Sequence, residues 1–198
     1  MTTRSLEIPK FFIFDQENTC FTDISKMLNI NKNIIFLILA FPIYLFSQNI
    51  SESEIKSVAY QIIKESEYSM LVTLDSNNKP TTRLMDHNII NEDLVIYLIT
   101  NPRSRKITHL NNNPSVSINF QSKDRKSYVS INGEAELIND ISLKRKYWKY
   151  EWTPFYSDIE NDCILIKINP QILEIVSSNE NISSDPITWR PLTLIINN

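Results

Sequence analysis

The sequence predicts a mainly β domain, an antiparallel barrel or sandwich of six or seven short strands with a few helices. Apolar and polar residues alternate with a period of two in several short runs between 69 and 177. Short turns rich in Asn and Asp separate most of these runs, as hairpins require, so neighbouring strands should pair antiparallel. Few helical segments interrupt them, and strands in this proportion pack on one another as a barrel or sandwich.

An amphipathic helix precedes the strands, over 51–67. Apolar residues recur there at helical spacing, and Ser51 with Glu54 matches the capping-box pattern of a helix N-terminus. Three hairpin-linked strands should follow, over 69–74, 81–90 and 94–100. A three-stranded meander would place the second of these strands beside the third.

The remaining elements follow in the same way. They are a short helix over 104–110, strands over 115–121 and 128–138, a second helix over 141–150, and two final strands over 163–168 and 172–177.

Composition excludes several classes of function. A net charge of −3 and a pI near 5.5 argue against a nucleic-acid partner. Gly133 is the only glycine, so neither a dinucleotide-binding glycine turn nor a P-loop can form, and side chains must hold any phosphate. The two histidines have no third ligand in view, which argues against a metal site. Cys163 lies in an apolar run and is interpreted as a core residue.

The N-terminal region has the pattern of a secretory signal peptide. Residues 34–46 are apolar, are preceded by Lys32 and are followed by Ser47, and this run is too short for a membrane span. We therefore predict an upstream extension over 1–26, a signal peptide over 27–48 beginning at Met27, and an exported domain over 49–198. The alternatives are a buried helix or an uncleaved anchor, and without a signal the protein would stay cytoplasmic.

The segment 100–106 is the best candidate for an anion site. It brings Arg103, Arg105 and Lys106, together with hydroxyl and amide groups, to the N-terminus of the predicted short helix, where backbone N–H groups favour an anion. Arg83 could reach the same anion from the neighbouring strand. The alternative is that Ser104 is only an N-cap and the cations are a solvated loop.

One family carries this pattern. The motif T-x(3)-S-R-K-x(3)-L-x-x-N-P-x-V-S over 100–117, with the flanking segments 71–85 and 128–136, closely resembles the pyridoxamine-phosphate-oxidase-like flavoproteins. The similarity covers about 53–178 and is nearest to the general-stress-protein branch. It implies an FMN-binding split β-barrel that forms a homodimer with flavin at the interface.

The resemblance also implies residue roles. The FMN phosphate and ribityl chain would be held by Arg83, Ser104, Arg105 and Lys106. The flavin would be lined by Leu84, Met85, Ile99 and Thr100, with Tyr128 at a flavin-contacting position. A flavin-dependent oxidoreductase acting on a small-molecule substrate or electron donor is expected, and no catalytic acid or base is indicated.

The C-terminal region departs from the oxidase itself. The oxidase has a Trp and an Arg-x-His motif there, whereas this chain has Val176 to Asn179 and a later Trp189-Arg190 pair that could fold over the site. Oxidation of pyridoxamine phosphate is therefore not expected. The second hypothesis is a non-catalytic, stress-associated module that binds flavin or haem. The aromatic cluster of 148–152 would either wall the flavin or form a core corner.

Overall fold

The structure is a computed structural model that describes residues 50–196. The predicted upstream extension (1–26) and signal peptide (27–48) lie outside the described residues and stay predictions. Within 50–196, no helix has the length and apolar character needed to cross a membrane.

Residues 50–196 form eight strands and four helical segments. The α-helices are α1 (Glu52–Glu65), α2 (Arg105–Asn112) and α3 (Ile141–Lys146), and a 3-10 helix spans Tyr150–Phe155. The strands are β1 (Ser69–Leu74), β2 (Pro80–Met85), β3 (His87–Ile89), β4 (Ile96–Thr100), β5 (Ser115–Gln121), β6 (Ser127–Ile138), β7 (Ile164–Ser177) and β8 (Leu192–Ile195).

The sheet is antiparallel throughout and curls back on itself. Its strand order is β2-β1-β5-β6-β7-β4-β3, and β8 pairs with β7 outside this path. The two edge strands, β2 and β3, are separated in sequence by Asp86 alone. The two edges must therefore lie close together, which is the closure of a barrel. The predicted mainly β split-barrel fold is confirmed.

Four details of the predicted strands and helices were wrong. β2 pairs with β1 and not with β4, so the three-stranded meander does not form. The predicted strand 81–90 bends at Asp86 into β2 and β3, because the barrel closes there. The two final strands are one long strand, β7, and the second helix ends at Lys146 before the 3-10 helix.

The barrel interior is closed at one end by α1. Ser51 and Glu54 form the predicted capping box, which starts this helix where the sequence placed it. The apolar face of α1, including Ala59 and Ile63, joins one continuous core with strands β1 and β3 to β7. His87 on β3 lies in this core, where its Nε2–H donates to the Ile63 carbonyl oxygen at 2.8 Å and its ring packs edge-on against Phe120.

Strand β4 is buried on both faces. Ile96 and Leu98 point into the main core, whereas Tyr97 and Ile99 lie in a second apolar cluster with Trp152 and others. The chain between α3 and β7 covers this outer face, and Tyr147 stacks on Tyr97 with ring centroids 3.8 Å apart. This cover explains why β4 reads as a continuous apolar run, and it brings aromatic side chains to the end of β4. Cys163 is buried in the same cluster, as predicted.

Gly133 marks the irregularity between β6 and β7. The pairing register shifts between Asn132 and Gly133, opposite Pro170. A Cβ on Gly133 would overlap the Asn169 carbonyl oxygen and lie 3.2 Å from the Pro170 Cα. The glycine is needed because another backbone approaches closely, which is a common reason for glycine inside a strand.

Candidate functional site

At the N-terminus of α2, hydroxyl groups and a lysine lie beside the first turn, and the N-cap side chain forms no hydrogen bond to the helix backbone. Ser104 is the N-cap residue, but its side chain makes no capping bond to the α2 backbone. Lys106 Nζ instead donates to Thr100 Oγ1 at 2.7 Å and to Ser104 Oγ at 3.4 Å. The amides of the first turn therefore have no side-chain acceptor from the N-cap, which leaves them suited to an anion.

Arg83 joins this group from β2. Its Nη1 donates to Thr73 Oγ1 on β1 at 2.8 Å, and the same hydroxyl lies 2.9 Å from His109 Nδ1 on α2. Pairing of β2 with β1, the strand on which α2 packs, brings Arg83 to α2, although β2 does not neighbour β4. Arg83 is therefore connected to α2 through Thr73, although the predicted three-stranded meander does not form.

The three cations repel one another. Burial lowers the pKa of Lys106, and the charge of Arg83 lowers that pKa further. Burial likewise lowers the pKa of Arg83, with a further contribution from the charge of Arg105. Among residues 50–196, none of the ion pairs includes Arg83, Arg105 or Lys106. Such a cluster of like charges is stabilised by a bound anion.

A cavity of about 250 Å³ adjoins the cations at the end of β4. Its walls combine apolar side chains of β2 and β4 with the aromatic segment that follows α3. The lining residues are Leu84, Met85, Asp86, Ile99, Thr100, Lys106, Trp152, Phe155 and Tyr156. Phe155 is 79% exposed at this position, although it is a large apolar side chain. A planar, partly apolar group attached to an anion would match this combination of walls and charge.

Asp86 fastens the aromatic segment to the barrel. Its Oδ1 accepts from Lys149 Nζ at 2.6 Å, and its Oδ2 accepts from Trp152 Nε1 at 2.9 Å. Both carboxylate oxygens are thereby engaged at the closure point between β2 and β3. Trp152 is a core residue, as expected if the 148–152 cluster forms a core corner, and it also lines the cavity.

Tyr128 is the predicted site residue that the structure places elsewhere. It lines a groove of about 800 Å³ on the outer face of β1, β2, β5 and β6, together with Met70 and Leu84. Met70 and Leu84 pair directly across β1 and β2 and are 50% and 63% exposed. Leu84 borders both the groove and the cavity. Within one chain, Tyr128 is therefore separated from the cation cluster that holds Lys106.

Pattern reading missed several residues of the site. No sequence pattern marks Thr73, Asp86, Phe155 or Tyr156 as site residues. Alternation in β1 predicts that Thr73 points inward with Leu71. Nothing in the sequence, however, indicates that its hydroxyl forms hydrogen bonds with other side chains. The position of residues 152–156 depends on the path of an irregular segment, which periodicity does not describe.

The C-terminal tail does not cover this cavity within the chain. Trp189 is 81% exposed, and it lines a different cavity beside Val176 and Ile182. The residues after it pair with β7 as strand β8. In the described part of the chain, no group of three or more His, Cys, Asp or Glu side chains is arranged to hold a metal ion.

Known proteins resemble this chain in both sequence and fold. The family model described as pyridoxamine 5'-phosphate oxidase like matches residues 54–183. The crystal structure of general stress protein 26 from Bacillus anthracis str. Sterne is 28% identical, covers 71% of this chain and 98% of its own, and has a TM-score of 0.57. A search of the curated proteins found no match.

Two more distant structures share the fold. One is a protein related to general stress protein 26 from Clostridium acetobutylicum, with a TM-score of 0.61, 16% identity, and coverage of 74% of this chain and 97% of its own. The other is a haem-binding protein from Mycobacterium smegmatis, with a TM-score of 0.56, 16% identity, and coverage of 71% and 57%. At this identity they support the architecture and not a shared ligand.

Proposed function

The chain belongs to the pyridoxamine 5'-phosphate oxidase-like family, and from this we propose that it binds FMN and acts as a flavin-dependent oxidoreductase. The observation that carries the proposal is the group of Arg83, Arg105 and Lys106 beside the first turn of α2. These cations form no ion pair with a carboxylate among residues 50–196, and Lys106 lines a cavity with apolar and aromatic walls.

The residues present fit FMN in both charge and shape. The phosphate would be bound by Arg83, Ser104, Arg105 and Lys106, through charge-assisted bonds and the amides of the first turn of α2. The ring system would lie in the cavity against Leu84, Met85, Ile99 and Thr100. The flavin, when bound, supplies the hydride or electron chemistry. The protein binds and orients it, and the aromatic segment around Trp152 excludes water from one side.

A homodimer is part of the proposal. The groove containing Tyr128 presents Met70 and Leu84 to solvent, and isolated chains seldom expose contiguous apolar side chains on a sheet face without a partner. Leu84 connects this groove to the cavity, so a second copy covering the groove would reach the flavin site. Tyr128 would then contribute to a flavin whose phosphate is held by the other chain.

Haem is the other planar ligand that the sequence left open. A haem iron commonly takes a histidine as axial ligand. His87 is buried in the core and bonded to Ile63, and His109 is bonded to Thr73. Neither histidine lines the cavity. The arrangement therefore favours flavin, and the remaining alternative is a module that holds flavin without turnover.

Export through 27–48, with a mature domain over 49–198, is retained as a proposal. The mass of the protein recovered from the cell envelope or medium of its host would test it. A mass that corresponds to cleavage near residue 48 would support export, whereas recovery of the uncleaved chain inside the cell would contradict it.

Titration of the purified full chain with FMN and with riboflavin, followed by absorbance and flavin fluorescence, tests the flavin proposal. Binding should be saturable with FMN and at least about tenfold weaker with riboflavin, because riboflavin lacks the phosphate. Equal affinity for the two flavins would contradict the assigned phosphate site, and binding of neither would contradict the flavin proposal. Reduction of the bound FMN by NADH or NADPH, followed by reoxidation by an acceptor, separates an oxidoreductase from a non-catalytic module.

A further inference from the structure

We propose that Thr73 is a positioning residue, which orients the Arg83 guanidinium toward the FMN phosphate through its buried hydroxyl. This inference rests on the proposed function. Both residues lie in the segment 71–85, but the resemblance assigns a phosphate-binding role only to Arg83.

One hydroxyl connects three elements at this point. Thr73 lies on β1 and is fully buried. Its Oγ1 accepts from Arg83 Nη1 on β2 at 2.8 Å and lies 2.9 Å from His109 Nδ1 on α2. The helix whose first turn carries Arg105 and Lys106 is therefore linked to the strand that carries Arg83 through a single side chain.

The donor and acceptor roles follow from the groups involved. A guanidinium can only donate, so Thr73 Oγ1 must accept from Arg83. The tautomer of His109 decides whether the Thr73 hydroxyl donates to Nδ1 or accepts from Nδ1–H across the 2.9 Å contact. In either tautomer the hydroxyl oxygen still accepts from Arg83, because it has two lone pairs.

Arg83 needs such an anchor because its neighbours are cations. Arg105 and Lys106 repel the guanidinium, and a long arginine side chain can move into solvent to relieve this repulsion. The bond to Thr73 holds it inside the cluster before the phosphate arrives. A group held in its bound orientation loses less entropy on binding, so the bond should increase affinity for the phosphate without touching it.

The test is a double-mutant cycle on the full chain, with FMN and riboflavin as the two probes. The variants are Thr73→Val, Thr73→Ser, Arg83→Ala, and Thr73→Val combined with Arg83→Ala. Thr73→Val should weaken FMN binding about tenfold and leave riboflavin binding unchanged. Thr73→Ser retains the hydroxyl and should bind FMN like the unmodified protein. In the Arg83→Ala background, Thr73→Val should have no further effect on FMN affinity.

The outcomes separate this inference from the proposed function. If Arg83→Ala weakens FMN binding but Thr73→Val does not, Thr73 is not a positioning residue. If Thr73→Val weakens FMN and riboflavin equally, or has its full effect without Arg83, its role is structural and the inference fails. If the unmodified protein does not distinguish FMN from riboflavin, the phosphate site itself is wrong. Should Thr73→Val not fold, Thr73→Cys, whose thiol is a weak acceptor, is held to the same criteria.

Discussion

Lys106 Nζ donates to the Thr100 hydroxyl oxygen at 2.7 Å, so the first turn of α2 is bonded to the last residue of β4. This contact ties the cation cluster to the end of the strand that also forms the wall of the adjacent cavity. A ligand that occupies both places is therefore held by groups with a fixed separation. The relationship favours a ligand with an anion at one end and a planar ring at the other.

Replacing Lys106 by Ala should weaken FMN binding by about 10- to 100-fold, because one charge-assisted bond to the phosphate is lost. Riboflavin affinity should hardly change, since Lys106 is assigned to the phosphate end. The matched control is Lys79→Ala, which removes an exposed lysine from the turn between β1 and β2. Fluorescence titration of both variants is the measurement. An equal loss in the two variants would point to a non-specific effect of net charge.

Replacing Met70 by Asp should prevent dimer formation. The change places a charge on the apolar outer face, where Met70 is 50% exposed and should be covered by the second copy. Sedimentation or light scattering should show a dimer for the unmodified protein and a monomer for the variant, with weaker FMN binding. Ile90→Asp, at a residue 51% exposed outside the groove, is the control and should remain dimeric. A monomeric unmodified protein that binds FMN fully would contradict the shared site.

His87 should make stability depend on pH. Burial lowers the pKa of His87, and its Nδ1 is buried without a hydrogen-bond partner. A base whose pKa is lower in the folded state contributes full stability above its unfolded pKa of about 6.5, and this stability is lost as the pH falls below that value. His87→Gln retains a donor for the Ile63 carbonyl but does not titrate.

Urea unfolding of the two proteins between pH 8 and pH 5 tests the role of His87. As the pH is lowered, the free energy of unfolding should decrease more steeply in the unmodified protein than in His87→Gln. The difference should develop below about pH 6.5. Parallel curves would show that His87 does not contribute. His109→Gln is the matched control, because it replaces the other histidine and leaves the bond from His87 to the Ile63 carbonyl in place.

Replacing Gly133 by Ala should destabilise the domain by about 1–3 kcal/mol, because the added Cβ meets the β7 backbone at the register shift. The contact is with backbone atoms, so a change of rotamer cannot relieve it. Thermal unfolding of Gly133→Ala and of the neighbouring control Asn132→Ala measures the effect. A Gly133→Ala protein as stable as the control would mean that β7 can shift away without cost.

Local patterns were sufficient for most element boundaries. β1 and β5 begin and end as predicted, since each has strict alternation between clear turns. The capping box placed the start of α1 in the same way. The bend at Asp86 and the continuity of β7 through Pro170 could not be predicted, because both depend on how distant strands pair. The same limit applies to Tyr128, whose motif position does not reveal which face of the sheet it occupies relative to the cavity.

The sequence by itself determined the family, the antiparallel strands and the concentration of cations at the start of α2. These properties reside in the spacing of neighbouring residues, which determines local conformation and charge. Only the tertiary structure decided that β2 reaches α2 through its pairing with β1, that Thr73 links Arg83 to His109, and that Trp152 closes the cavity against Asp86. These contacts join residues far apart in the chain, and they form because the curled sheet buries its apolar face in one core to which α1 also contributes.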